Sequence, residues 1–526
     1  MKQFNALFRV SFLGLIHSLG FRGKNKRKTD QSGWFNLGLM LFFNLLFAVM
    51  YGGSVAVFMF QAENPAMFVS MMALFGTIFC MLFTLLGAKE VVFSTKDIDL
   101  VLSLPINGSF IILARLFALY LENAMMTMVW MLFSGVAWAV MGGGSFLYLP
   151  LFLGMGFLVA ILPTLLSLLI GVVMAVVSAR SGGKSVVESA LYLVGTVLLI
   201  VFIFGIQQAN VTQNIPEKMT GVLTPFQWMG DACLGDWMAW IWVVLITVLP
   251  MAIVVLLCGR FYYEILGSLT ARSSKNNYKL GRLKHGGVTK GLLKKEWLRY
   301  LNTPIYLANT GFGLVFYLVM AIGFALKSDD IWAQFTGADL RQIPILGLAA
   351  AVSGFLLSCT LISACSVSLE GNAFWILRTT PLPGAKILMT KVWFHWLVCA
   401  PFVLLASLVI AFGGRMDVVS AVLLVALGLL FTWCVAVLGL LINLKLPKLD
   451  GSSDSVVVKQ SASVGIAMLV NMILLVVLGL VWGLTGTFGT QQLSALVCLI
   501  VTAVVAVCAT VVLKRWGESM LNSIEV

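Results

Sequence analysis

The chain has 526 residues, 60% of them hydrophobic and only 10% charged, with a mean hydropathy of +1.01. Soluble domains carry about 25% charged residues, so the composition excludes an ordinary soluble enzyme and marks a polytopic membrane protein. Of the nine cysteines only Cys233 falls in a polar loop, and neither a disulfide framework nor a metal-type spacing follows.

In chain order, residues 4–19 place Phe4, Leu7, Phe8, Phe12, Leu15, Ile16 and Leu19 on one stripe, which predicts an amphipathic helix on the membrane surface. Arg22, Lys24, Lys26, Arg27 and Lys28 come after its apolar stretch, the reverse of a signal peptide. Crossing a hydrocarbon core takes about 20 apolar residues, and the runs at 35–60, 66–87, 110–141, 151–178, 187–206 and 237–258 qualify. A basic stretch rich in Ser, Asn and Gly spans 260–290 and reads as a linker. A second surface helix follows at 292–301, with Leu293, Trp297, Tyr300 and Leu301 on one face and Lys294, Lys295, Glu296 and Arg299 on the other. Six further runs lie at 305–326, 345–366, 387–412, 418–444, 464–484 and 493–513. The expected fold is an all-α polytopic membrane protein of about twelve transmembrane helices. It forms two six-helix halves, 1–264 and 291–526, joined by the linker 265–290, each half opening with an interfacial helix.

With the N-terminus inside, all 34 lysines and arginines except Lys218, Lys327, Arg341 and Arg415 fall in cytoplasmic segments or at cytoplasmic helix ends. That asymmetry is the positive-inside rule. It places both termini in the cytoplasm and accounts for the net charge of +13 without a nucleic-acid surface, for which aromatic interleaving is lacking.

The halves share a loop. At a constant offset of 276, Ile98 meets Phe374, Leu100 meets Ile376, Pro105 meets Pro381, Gly108 meets Gly384, Ile112 meets Leu388 and Arg115 meets Lys391. Duplicated transporter halves leave such internal symmetry. Ile98, Val101 and Leu102, and in the other half Phe374, Leu377 and Arg378, are spaced for one short helix, at 96–104 and 373–380, stopped by proline. Gly108 or Gly384 is expected to let the chain turn, and Arg115 or Lys391 to snorkel back to the headgroups.

On these residues the chain resembles the membrane subunit of an ATP-binding-cassette exporter, most closely the fused, double-length permeases common in Gram-positive bacteria. The carriers are the two opening helices, the six-span halves, Leu104-Pro105, Trp375-Ile376-Leu377, and Leu446-Pro447-Lys448-Leu449-Asp450 followed by Val458-Lys459-Gln460-Ser461. The pattern departs at Thr380, where the family usually has Leu before proline. The resemblance implies a separate cytoplasmic ATPase, two copies per permease, which holds ATP and Mg. It would grip the short helices through Ile98, Leu100, Leu102, Pro105, Glu370, Phe374, Trp375, Leu377 and Pro381.

No nucleotide site is expected on the chain itself. The stretch from Ser178 to Ser185 ends like a P-loop, with Gly183, Lys184 and Ser185, but Ser178 replaces its first glycine and an apolar span precedes it. His17, His285 and His395 are scattered and form no hydrolase motif. Polar residues inside the spans are few. Glu122 and Asn123 in the third span, His395 in the ninth and Asn471 in the eleventh are candidates for a translocation path, because an ionised carboxylate facing lipid costs about 2.5–3.5 kcal/mol. Pro163, Pro250 and Pro401 are expected to kink their helices. Two other classes fit the layout. One is an ion-coupled secondary transporter, for which Glu122 alone gives thin coupling chemistry. The other is a membrane scaffold or polymer-synthesising enzyme, which would need acidic clusters. Walls rich in Met, Phe and Leu favour an apolar or amphipathic cargo such as a peptide, lipid or drug.

Overall fold

The computed structural model describes residues 32–61, 64–92, 108–141, 144–180, 190–191, 194–195, 221–270, 287–326, 345–449, 454–459, 461–487 and 489–524. All regular structure among them is helical, and ten segments are long and apolar enough to cross a membrane. The amphipathic segment 4–19, the docking residues Ile98, Leu100, Leu102 and Pro105, and most of the span at 187–206 lie outside the described residues. The chain divides into two compact units, one of residues 1–188 and 201–277, the other of residues 189–200 and 278–526.

The first unit contains α1 (Ser32–Gln61), α2 (Pro65–Val92), α3 (Gly108–Met141), α4 (Leu149–Val159), α5 (Ile161–Arg180), α6 (Thr224–Cys233) and α7 (Trp237–Thr270). These spans are apolar nearly all round, so hydrophobicity does not choose their inner faces. In a bilayer small and polar side chains do. Thr84 and Ser167 share a hydrogen bond of 2.8 Å between α2 and α5, Asn123 Nδ2 donates to Thr164 Oγ1 at 3.0 Å, and Thr127 Oγ1 donates to the Gly156 carbonyl at 2.7 Å. Trp237, Ile241, Leu245 and Leu249 of α7, by contrast, are exposed, as a lipid-facing stripe should be.

Two expectations change here. The run at 151–178 is interrupted at Ala160: Pro163 has no N–H to offer Val159, and α4 ends there. Helices α7 and, in the second unit, the helix through Pro401 continue past their prolines. Cys233 is not in a polar loop. It is buried in α6, which packs so closely on the start of α2 that a Cβ on Gly230 would stand 2.5 Å from the Ala66 carbonyl oxygen.

The second unit contains α8 (Val288–Asn302), α9 (Pro304–Leu326), α10 (Ile345–Ser358), α11 (Ile362–Ser366), α12 (Phe374–Thr379), α13 (Gly384–Gly413), α14 (Val418–Lys445), α15 (Asp454–Lys459), α16 (Ala462–Gly486) and α17 (Gln491–Asn522). The run at 345–366 breaks between α10 and α11 without proline or glycine at the break. Backbone groups freed inside a membrane need partners from the protein, and neighbouring helices supply them. Tyr306 Oη of α9 donates to the Ile362 carbonyl at 2.8 Å, the Ser363 N–H reaches His395 Nδ1 at 3.3 Å, and Asn443 Oδ1 of α14 accepts from Val367 and Ser368 at 2.8 and 3.2 Å.

Both units join the third span to the last in one way. A Cβ on Gly108, the first residue of α3, would stand 2.5 Å from the Gly259 carbonyl oxygen of α7. A Cβ on Gly384, the first residue of α13, would stand 2.8 Å from Glu518 Cγ of α17. Neither glycine has a positive φ, so their smallness serves close packing, not the turn expected of them. The left-handed glycine near this loop is Gly371, with φ 51°, just before α12.

Candidate functional site

Five charged side chains meet beneath α12. Lys295 and Arg299 come from α8 with Glu296, Lys391 from the second turn of α13, and Glu370 from the 3-10 turn that leads into α12. Glu370 accepts from Lys295 Nζ at 2.8 Å on both oxygens, from Lys391 Nζ at 2.9 Å, and from Arg299 Nη2. Lys391 Nζ also donates to Glu296 Oε1 at 2.7 Å and to the Ser366 carbonyl, the last of α11, at 3.1 Å. The side chains of Glu370, Lys391 and Glu296 are 1%, 2% and 5% exposed, so the centre of the network is removed from solvent, while Lys295, at 37%, forms its outer edge. Burial pushes the Lys295 ammonium below its ordinary value, which its pair with Glu370 only partly restores. Burial also acts against the Arg299 guanidinium, but Glu370 and Glu296 outweigh it and hold its affinity for the proton above the ordinary value. Once made, such a buried network is costly to break, because each lost partner leaves an uncompensated charge.

This corrects two sequence expectations. Lys391 does not snorkel to headgroups; its ammonium is locked inward between two carboxylates. Nor do the two expected faces of α8 divide cleanly: Glu296 of the charged face is buried with Tyr300 of the apolar one, while Lys294 and Trp297 are exposed.

The short helix α12 was legible, but its direction was not. Phe374 and Leu377 are buried at 0% and 6%, in a core with Val367, Ile387, Leu388, Leu440 and Leu513. Trp375 and Ile376 are exposed at 56% and 51%, and Pro381 is exposed as well. Of the docking candidates in this half, Trp375 and Pro381 therefore form outer surface. Phe374 and Leu377 attach the helix to its unit, and Glu370 anchors the turn before it.

The candidates for a translocation path are not assembled into one site. Glu122 is half-buried on α3. Asn123 holds Thr164, and its Oδ1 has no partner among the described residues. In the second unit, His395 caps the broken span through Ser363, and Asn471 is buried on α16 with neither amide atom partnered among the described residues. Among the described residues no group of His, Cys, Asp and Glu could hold a metal ion. A cavity of about 300 Å³ lies between α10, α14, α16 and α17, with Gly347, Gly354, Leu357, Phe431, Leu478 and Trp482 in its wall. The P-loop-like stretch runs out of α5, which stays helical to Arg180; residues 181–189 lie outside the described residues.

Long apolar helices, broken spans capped by buried polar side chains and paired units define a multi-pass membrane protein. The sequence matches the family described as membrane protein of 12 TMs over residues 34–515, and the chain belongs to that family. No curated protein and no solved structure matches it.

Proposed function

We propose that the chain is the permease subunit of an ATP-binding-cassette exporter, with both termini in the cytoplasm of the cell that bears it. The observation that carries this reading is α12. It is a six-residue helix fixed to its unit by Phe374 and Leu377, braced by the Glu370 network, leading straight into a span and presenting Trp375 and Ile376 outward. A helix with a fixed inner face and an apolar outer edge suits a groove on a partner. That partner is a cytoplasmic ATPase, two copies per permease, carrying ATP and Mg. The chain itself hydrolyses nothing. Cargo is apolar or amphipathic, a peptide, lipid or drug, in keeping with the glycine- and leucine-lined cavity in the second unit.

The test uses the chain tagged in its own membrane. An ATPase of the cassette type should co-purify with it, and the triple variant Ile98→Asp, Trp375→Asp, Ile376→Asp should insert normally, lose the ATPase and lose transport. Retention of the ATPase by that variant would remove the docking reading, and absence of any ATPase from the wild-type preparation would remove the exporter reading.

A further inference from the structure

The end of the chain reaches α12 through contacts that share no residue with the Glu370 network. The charge-free stretch of α17 closes at Leu513, yet the helix runs on to Asn522, about 13 Å further at 1.5 Å per residue. This extension has two faces. Leu513, Gly517 and Leu521 are buried, at i, i+4 and i+8, whereas Lys514, Arg515, Trp516 and Glu518 are exposed. Gly517 lets α13 approach, since a Cβ there would stand 2.7 Å from Leu388 Cδ1. Beyond the helix, Ile524 is 6% exposed and lies with Leu521 in the core that holds Phe374 and Leu377. The Ile524 carbonyl accepts a hydrogen bond of 3.0 Å from Arg378 Nη1, in the last turn of α12.

A helix of six residues is far below the about 12–15 at which an isolated helix becomes even marginal, so α12 owes its form to what packs on it. Its entry passes through Gly371, whose positive φ turns the chain there, and its exit at Thr380 is extended. Phe374 and Leu377 set which face of α12 turns inward, and Arg378, in its last turn, is the polar side chain that ties it to the residues after α17. We infer that residues 521–524 are a clasp that positions α12, with Arg378 as the positioning residue that ties the helix to the chain end. The link to partner docking rests on the reading of α12 given above. The clasp makes residues 521–524 a part of the docking platform.

Hydrogen–deuterium exchange of the full chain in lipid nanodiscs tests it, beside ATPase capture. Deletion of residues 523–526, and separately Arg378→Gln, should speed exchange of the α12 amides by about tenfold, the scale of one charge-assisted hydrogen bond lost. Amides in the middle of α14 should be unchanged, which separates loss of the clasp from unfolding. Arg378 is exposed, so its variant keeps the bundle even where the deletion does not. ATPase capture should fall in step with the faster exchange. Unchanged α12 exchange in Arg378→Gln overturns the clasp, and faster exchange with undiminished capture overturns its link to docking. A wild-type chain that captures no ATPase refutes the exporter reading alone, because exchange still decides the clasp.

Discussion

In the first unit Arg115 Nη1 of α3 donates to the Val92 carbonyl, the last of α2, at 3.0 Å; in the second, Lys391 of α13 does the same for Ser366, the last of α11. A helix leaves its final carbonyls without intrahelical partners, and a basic side chain there satisfies one while complementing the helix dipole. Because the two basic residues stand 276 apart, as do the glycines that open α3 and α13, the matched loop preserves a geometric duty in each unit. In the second unit Glu296 and Glu370 flank the lysine and tie in the opening helix α8; in the first, Tyr262 of α7 also donates to Val92, at 3.4 Å. The matched loop thus carries the same backbone contact in each unit, made by a different basic side chain.

The contrast can be broken most sharply at Glu370. Glu370→Ala leaves Lys295, Arg299 and Lys391 facing only Glu296, and should destabilise the chain by about 3–5 kcal/mol, read as a fall in the detergent melting temperature. Arg115→Met removes the half-buried hydrogen bond to Val92 and should cost at least about 1–3 kcal/mol. A loss as large as that of Glu370→Ala would mean that the two junctions are energetically alike. A finer test is the glycine pair. Gly108→Ala meets a backbone carbonyl oxygen at 2.5 Å, whereas Gly384→Ala meets Glu518 Cγ at 2.8 Å with its Cβ and Cα at 3.1 and 3.3 Å. Both should cost about 1–3 kcal/mol by overpacking, the first the more, measured by thermal unfolding of both variants. The smallest stability effect is expected at the outer edge of α12. Trp375→Ala should shift stability by no more than about 0.5 kcal/mol while weakening ATPase capture, whereas Phe374→Ala, in the core beneath, should cost about 3–5 kcal/mol. A destabilised Trp375→Ala would show that the exposed face packs on something within the chain.

The spans and the matched loop were legible because hydropathy and a proline–glycine pair in a polar segment are local signals. The ionic network was not. Lys391 and Glu296 are 95 residues apart, and Lys391 and Glu370 are 21 apart across a loop, so no periodicity joins them. The stripe of Phe374, Leu377 and Arg378 was recognisable from helical spacing, but a stripe does not say whether it faces the partner or the protein, and here Phe374 and Leu377 face the protein while Arg378 is exposed. The break at 359–361 carried no proline; its own amides bond to carbonyls within the preceding turn, while Tyr306 and His395 hold the start of α11 and Asn443 its end, contributed by three other helices. His395 could be singled out as a polar residue in an apolar span, although its partner could not be named.

That broken span also bears on how the protein is made. When residues 345–366 enter the bilayer, Tyr306 precedes them in the chain, but His395 and Asn443 have yet to be synthesised. Until α13 and α14 follow, the N–H groups of Ser363, Val367 and Ser368 lack the side-chain acceptors they have in the finished fold. The finished geometry of this stretch therefore depends on side chains that follow it by 32 and 76 positions, and it closes only when α13 and α14 are in place.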